Sequence, residues 1–231
     1  MNYFAHAIRH LDRPDFLAGL ALPDWLSVSD RKTRLRERHL REHLPQLEPA
    51  QQEIAAGVLQ HLEDDHWFHA TPAFHLVTSA IGTEFRKTLP TAEDWPCGFL
   101  GHLLCELLID AELARLQPHL LDRYYQLMPL WQPQEIQQLV NRVAPVPARQ
   151  LYQFIPLFIQ ERFLFDYLDD QPLLRRVNQV LRRVNLQPLP AVAITALVQG
   201  RRLVAAQLPE LLPEPDFVPF LAPAAGEHFP A

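Results

Sequence analysis

Apolar residues recur at helical spacing through much of the chain. Those of segment 49–69 recur at helical spacing and are Ile54, Val58, Leu59 and Leu62. Pro72 follows as a stop signal. Leucines of segment 99–117 have the same periodicity, and both segments are therefore predicted to be long helices.

Shorter periodic stretches predict further helices, which cover 2–10, 73–86, 120–128, 133–143, 148–168, 172–184 and 190–208. Pro23 is expected to break a short apolar helix just before Asp24. Segment 89–98 is expected to be a loop, and 213–231 an irregular Pro-rich tail. The 7 Gly and 22 Pro fit helices separated by Pro better than a sheet with many tight turns. We therefore predict an all-α fold, a single-domain multi-helix bundle over 1–212.

Composition and charge narrow the class of protein. A hydrophobic content of 48% with 21% charged residues is that of an ordinary globular protein. The net charge of −6 gives no broad footprint for nucleic acid, so no nucleic-acid partner is expected. Cys97 and Cys105 are too few for a secreted disulfide framework. No signal peptide or apolar span is recognisable, which favours a cytoplasmic protein without a membrane partner.

Two ladders of polar residues interrupt the apolar helices at four-residue spacing. One comprises His61, Asp65 and His69, and the other comprises His102, Glu106 and Asp110. Residues four apart lie one turn apart on the same face of a helix, so neighbours in a ladder can share a metal ion. The pattern stops at Pro118, which places the candidate metal chemistry in 1–117 and leaves 118–212 as packing helices.

Helix geometry limits how the ladder residues can be used. Eight residues of helix rise about 12 Å, so one ion with ligands at about 2.1 Å cannot contact both His61 and His69. The predicted metal ligands are His6, Asp24, His61, Asp65 and His102. His69 is then left for a second ion, a substrate phosphate or proton transfer, and Glu106 either ligates or orients a ligand imidazole. Imidazole and carboxylate suit a divalent ion such as Mn, Fe or Zn.

Spacing also assigns positions to two neighbours of the first ladder and to the last residue of the second. Asp64 lies about 60° around the helix from His61 and remains a candidate ligand, whereas His66 points about 140° away and is expected to be exposed. Asp110, two turns beyond His102, is expected to be a helix-surface or salt-bridge residue.

Four segments together resemble the bacterial acyl carrier protein phosphodiesterase family, which is related to the all-α HD-type metal phosphohydrolases. They are MNYFAHA at the start, GLALPD, HLEDDHWFH and GHLLCE. The resemblance covers roughly the first half of the chain and implies an HD-like fold. It also implies metal-dependent release of the phosphopantetheine arm from acyl carrier protein. The family's ligand positions match His6, Asp24, His61, Asp65 and His102.

Three positions depart from the family pattern. Leu20 stands where the family has Asn, His69 replaces the second helix Asp, and Gly101 replaces the Asp before the later His. All three positions lie in the segments that contain the expected site residues. They are therefore the positions at which the metal, the phosphoester or the activity itself is expected to differ from the family.

The expected function is a cytoplasmic, metal-dependent phosphoester hydrolase, and in particular a phosphodiesterase with acyl carrier protein as a candidate partner. His69 and Glu106 are the predicted catalytic residues for proton transfer. The basic run from Arg31 to Arg41 either steers an anionic substrate or is a solvated face. Two alternatives remain open: a hydrolase like the zinc-dependent phospholipases C and nucleases, or a non-enzymatic helical scaffold. The oligomeric state is not indicated.

Overall fold

A computed structural model describes residues 1–90 and 94–224, and these residues form helices without any strand. The α-helices are α1 Tyr3–Ala7, α2 Pro14–Ser29, α3 Glu37–His43, α4 Pro49–Ala70, α5 Pro72–Thr88, α6 Cys97–Leu116, α7 Pro118–Leu127, α8 Pro133–Val143, α9 Leu151–Glu161, α10 Asp170–Arg183 and α11 Ile194–Leu211. Short 3₁₀-helices cover Ile8–His10, Leu44–Gln46, Met128–Leu130, Phe163–Leu168, Ala191–Ala193 and Pro215–Phe220. The all-α prediction is confirmed. None of these helices combines the length and apolarity needed to cross a membrane.

Two predicted boundaries are wrong. Helix α2 continues through Pro23 to Ser29, although Pro lacks the N–H that would bond the carbonyl four residues earlier. Burial of residues on both sides of Pro23, including Leu22 and Trp25, offsets that loss. The single helix expected over 148–168 ends instead at Glu161, because Arg162 adopts a left-handed conformation with φ of 44°.

The two irregular segments are only partly described. Of the predicted loop 89–98, positions 91–93 lie outside the described residues, and α6 already begins at Cys97. Of the predicted tail, 225–231 likewise lie outside them. The earlier part of the tail is not wholly irregular, because Pro215–Phe220 form a 3₁₀-helix with Phe217 buried.

The chain divides into two compact units. The first unit comprises Tyr3–His66 and His119–Arg162. The second unit comprises Met1–Asn2, Trp67–Pro118 and the chain from Phe163 onwards. The expectation of one domain over 1–212 stays a prediction. Each metal-ligand candidate falls within one unit or the other.

In the first unit, α2 and α4 cross at glycines. A Cβ added at Gly57 would collide with the carbonyl oxygen of Phe16, and one added at Gly19 would collide with that of Ile54. Only glycine allows two helix backbones to approach this closely. The crossing places the main chain of α2 directly against α4, one turn before His61.

In the second unit, α5 and α6 also cross at glycines. A Cβ added at Gly101 would collide with the carbonyl oxygen of Thr78 and lie 2.9 Å from the backbone nitrogen of Gly82. Helix α11 packs on both α5 and α6, with Gly200 next to the Leu108 side chain. The crossing fixes α6 in place at the residue before His102.

Candidate metal centre

His6, His61 and Asp65 come together in the first unit. His6 lies on α1, and the other two lie one turn apart on α4. The Nε2 atom of each imidazole is 3.4 Å from an oxygen of Asp65, from Oδ1 for His6 and from Oδ2 for His61. The two rings stack with centroids 4.1 Å apart. Each residue therefore offers one ligand atom within 4.8 Å of the other two, and the group can hold a metal ion.

The second nitrogen of each ring is already engaged. Nδ1 of His61 is 2.8 Å from the main-chain carbonyl oxygen of Leu20, and Nδ1 of His6 is 3.1 Å from Oδ2 of Asp64. A carbonyl or a carboxylate only accepts, so both Nδ1 atoms donate. In the neutral imidazole this tautomer leaves Nε2 with a lone pair. In that form both Nε2 lone pairs would face Asp65, which is the arrangement of histidines that bind metals.

Asp64 is held in turn by two donors that sequence reasoning did not assign. Arg9 Nη2 donates to Oδ2 of Asp64 at 2.6 Å, and Gln60 Nε2 donates to Oδ1 at 2.9 Å. Asp64 is fully buried, and burial alone would raise the pKa of its carboxyl; the bonds from His6 and Arg9 nevertheless hold that pKa well below its usual range. Asp64 is therefore an ionised carboxylate that orients His6. Spacing carried a signal for this network, since Gln60 precedes Asp64 by four residues and Arg9 follows His6 by three.

Asp65 is also ionised. Burial would raise the pKa of its carboxyl, but the contacts with His6 and His61 lower that pKa far below its usual range. Each space between an Nε2 atom and this carboxylate holds either a ring proton or a cation, because a bare lone pair there would repel the carboxylate. Nε2 of His6 is itself buried without a hydrogen-bond partner among the described residues. The donor atoms thus fit a bound cation: ligands about 2.1 Å from a tetrahedral ion lie about 3.4 Å from one another.

His69, His102 and Glu106 form a second group, in the second unit. His69 lies in the last turn of α4, while His102 and Glu106 lie one turn apart on α6. Nε2 of His69 is 3.0 Å from Oε1 of Glu106, and Nε2 of His102 is 3.2 Å from the same oxygen. The amino nitrogen of Met1 is 3.4 Å from that oxygen as well. The three side chains offer ligand atoms within 4.8 Å of one another and can also hold a metal ion.

The electrostatics of this second group follow from its shared oxygen. Burial would raise the pKa of the Glu106 carboxyl, but the Met1 amino group and the imidazoles of His102 and His69 hold that pKa well below its usual range. An ionised carboxylate accepts, so Nε2 of each ring donates to it. The rings are positioned by packing: Phe74 lies 4.9 Å from the His69 ring and 5.0 Å from the His102 ring.

The predicted ligands are thus divided between two groups. The structure brings His6, His61 and Asp65 together and places His102 with the two predicted catalytic residues, His69 and Glu106. Asp24 belongs to neither group among the described residues; it is half-buried on α2, and its carbonyl accepts a bond from Ser27. The roles assigned to these residues stay predictions.

The structure also gives the positions of Asp64, His66 and Asp110. Asp64 orients a ligand imidazole instead of sharing the ligand group, and His66 is exposed as predicted. Asp110 is buried with 1% exposure, so the expected surface position is wrong. It lies on the face of α6 that packs inward, alongside the buried Leu107 and Ala111.

Comparisons of the chain with protein-family models, with curated proteins and with solved structures gave no match.

Proposed function

We propose that the protein is a cytoplasmic, metal-dependent phosphoester hydrolase whose divalent ion is held by His6, His61 and Asp65. One observation carries the proposal: the Nε2 atoms of two imidazoles converge on an ionised carboxylate, while both Nδ1 atoms are held by fixed acceptors. Two imidazoles and one carboxylate form a mixed N/O ligand set that suits Mn, Fe or Zn. Three protein ligands leave coordination positions for substrate, as in catalytic sites.

The residues around the ligands have distinct tasks in this proposal. A divalent ion at such a site polarises a phosphoryl oxygen and lowers the pKa of water. Asp64 and the Leu20 carbonyl hold His6 and His61 in the tautomer that presents Nε2. The complete burial of His6 shields its side of the site from bulk water, while the 32% exposure of the Asp65 side chain leaves the other side accessible. Substrate therefore approaches from the Asp65 side.

A phosphodiester is the substrate class that sequence and charge favour. The four segments that resemble the acyl carrier protein phosphodiesterases include all three ligands of this group. The first unit also contains a cleft of about 350 Å³ whose lining includes Arg31, Lys32 and Arg149. Such a basic cleft attracts a phosphorylated or acidic partner, such as an acyl carrier protein.

Metal analysis with matched variants tests the proposal. Protein purified without added metal is assayed for transition metals by plasma mass spectrometry. It is then reloaded separately with Mn, Fe or Zn and tested on bis(p-nitrophenyl) phosphate, p-nitrophenyl phosphate and holo acyl carrier protein. His61→Ala is expected to lose metal and turnover. His66→Ala, one turn further along α4 on its exposed side, is expected to keep both.

Each outcome discriminates between functions. Metal-dependent cleavage of a phosphodiester that disappears in His61→Ala supports the proposal. Activity restored by Zn alone, on bis(p-nitrophenyl) phosphate and not on holo acyl carrier protein, would replace it with a phospholipase C or nuclease-like enzyme. Absence of metal and of a thermal shift with any of the three ions would replace it with a structural scaffold. Full turnover by His61→Ala would remove His61 from the mechanism.

A further inference from the structure

The group formed by His69, His102 and Glu106 contains two imidazoles and one carboxylate, the ligand types of the first group, and lies on the end of α4 and on α6. We propose that it is a second, independent binding site for a divalent transition metal ion. The proposal does not depend on hydrolysis or on occupancy of the first group.

Helix geometry places the donor atoms as a chelate. His102 and Glu106 are four residues apart on α6 and point the same way, and His69 reaches the same carboxylate from the last turn of α4. The ring centroids of His69 and His102 are 5.1 Å apart. This is an arrangement of two nitrogens and one oxygen that borderline ions such as Zn²⁺ and Co²⁺ accept.

The backbone beneath the donors is closely packed. Next to His102, Gly101 lies so close to the Thr78 carbonyl that no Cβ would fit. Phe74 contacts both imidazoles and itself packs on Phe68, with ring centroids 4.8 Å apart. The rings therefore stay near Glu106 without a hydrogen bond to Nδ1 within the described part of the chain.

Exposure makes this group accessible to an ion from solution. The His102 side chain is 47% exposed and that of His69 is 34% exposed, whereas His6 in the first group is fully buried. An entering ion takes the place of the Nε2 protons that now bond to Glu106, and in each neutral ring the proton moves to Nδ1. This exchange makes the second site weaker than the first and sensitive to added chelators.

Co²⁺ titration of the metal-free, full-length protein tests the proposal. Binding is followed by d–d absorption and by calorimetry, with circular dichroism to show that each variant is folded. Wild type is expected to bind two equivalents, one tightly and one at least tenfold more weakly. His102→Ala and Glu106→Gln should each lose the weaker equivalent, while His75→Ala, an exposed histidine on α5, should keep both.

A variant of the first group separates this site from the proposed hydrolase centre in the same titration. His61→Ala should lose only the tighter equivalent. If the first group binds no metal, wild type binds a single equivalent that is lost in Glu106→Gln and retained in His61→Ala, and the second site still holds. Unchanged stoichiometry and affinity in both His102→Ala and Glu106→Gln would overturn the inference.

Discussion

The two histidine groups contain the same ligand types but differ in whether the second ring nitrogen, Nδ1, has a hydrogen-bond acceptor among the described residues. In the first group, His6 and His61 donate through Nδ1 to Asp64 and to the Leu20 carbonyl, and Nε2 faces the ligand carboxylate. In the second, His69 and His102 direct Nε2 at one oxygen of Glu106. Ligand composition alone therefore does not define a metal site, because the partner of the other ring nitrogen decides whether a lone pair is available.

The largest effect is expected from the glycines that hold the groups in place. Gly57→Ala puts a Cβ against the Phe16 carbonyl, and Gly101→Ala puts one against the Thr78 carbonyl. Each substitution should lower the free energy of unfolding by about 3 kcal/mol, because backbone has to move. Urea denaturation measures this change in the free energy of unfolding. Gly98→Ala, which meets no atom within 4 Å, is the control and should stay within about 1 kcal/mol of wild type. Equal stability of all three variants would contradict the close crossings.

A smaller effect should follow from loss of the charge that orients His6. Asp64→Asn keeps the shape of the side chain but removes the carboxylate that accepts from His6 and Arg9. Loss of such a partner lowers metal affinity about 10- to 100-fold. Competition with a chelating indicator measures the affinity of the first group. Glu63→Gln, the exposed neighbour on α4, should bind as wild type does; a matching loss there would point to net charge instead of orientation.

The dependence of stability on acid pH should show whether Glu106 of the second group is ionised in the folded protein. Because the folded-state pKa of Glu106 lies below its unfolded value of about 4.3, its ionised form stabilises the protein above that pH, and the stabilisation is lost as pH falls through the folded-state pKa. Between about pH 5 and pH 3, Glu106→Gln should therefore lose about 1 kcal/mol less than metal-free wild type. Urea titrations at several pH values measure this difference. Parallel pH profiles would show that Glu106 is not preferentially ionised in the folded protein.

The smallest effect is expected at the thiol beside the second group. Burial, followed by the adjacent Glu106 charge, raises the pKa of the Cys105 thiol to about 12, so it stays protonated. A thiol is a poor ligand, and Cys105→Ala should leave Co²⁺ affinity of the second group unchanged. Thiolate coordination has a distinct charge-transfer band in Co²⁺ spectra. Appearance of that band in wild type and its loss in the variant would add sulfur to the ligand set.

Periodicity predicted most of the helices, because burial of an apolar stripe sets the 3.6-residue repeat whatever the partner helix. It also predicted His61 and Asp65 as neighbours, since both lie on one helix. It did not predict that His102 belongs with His69, because spacing along one helix does not reveal which other helix faces it. The break expected at Pro23 failed for a similar reason: tertiary burial outweighed a local preference.

The hydrogen bond from His61 to Leu20 has a consequence for how the first group tolerates mutation. The acceptor is a main-chain oxygen, so every residue type at position 20 supplies it equally as long as α2 keeps its path. Two acceptors hold the Nδ1 atoms of this group, and the one for His61 therefore depends on the path of helix α2 and not on the identity of a side chain. The chemistry at His61 then depends on Gly19 and Gly57, which set the distance between two backbones, more than on the residue whose atom it contacts.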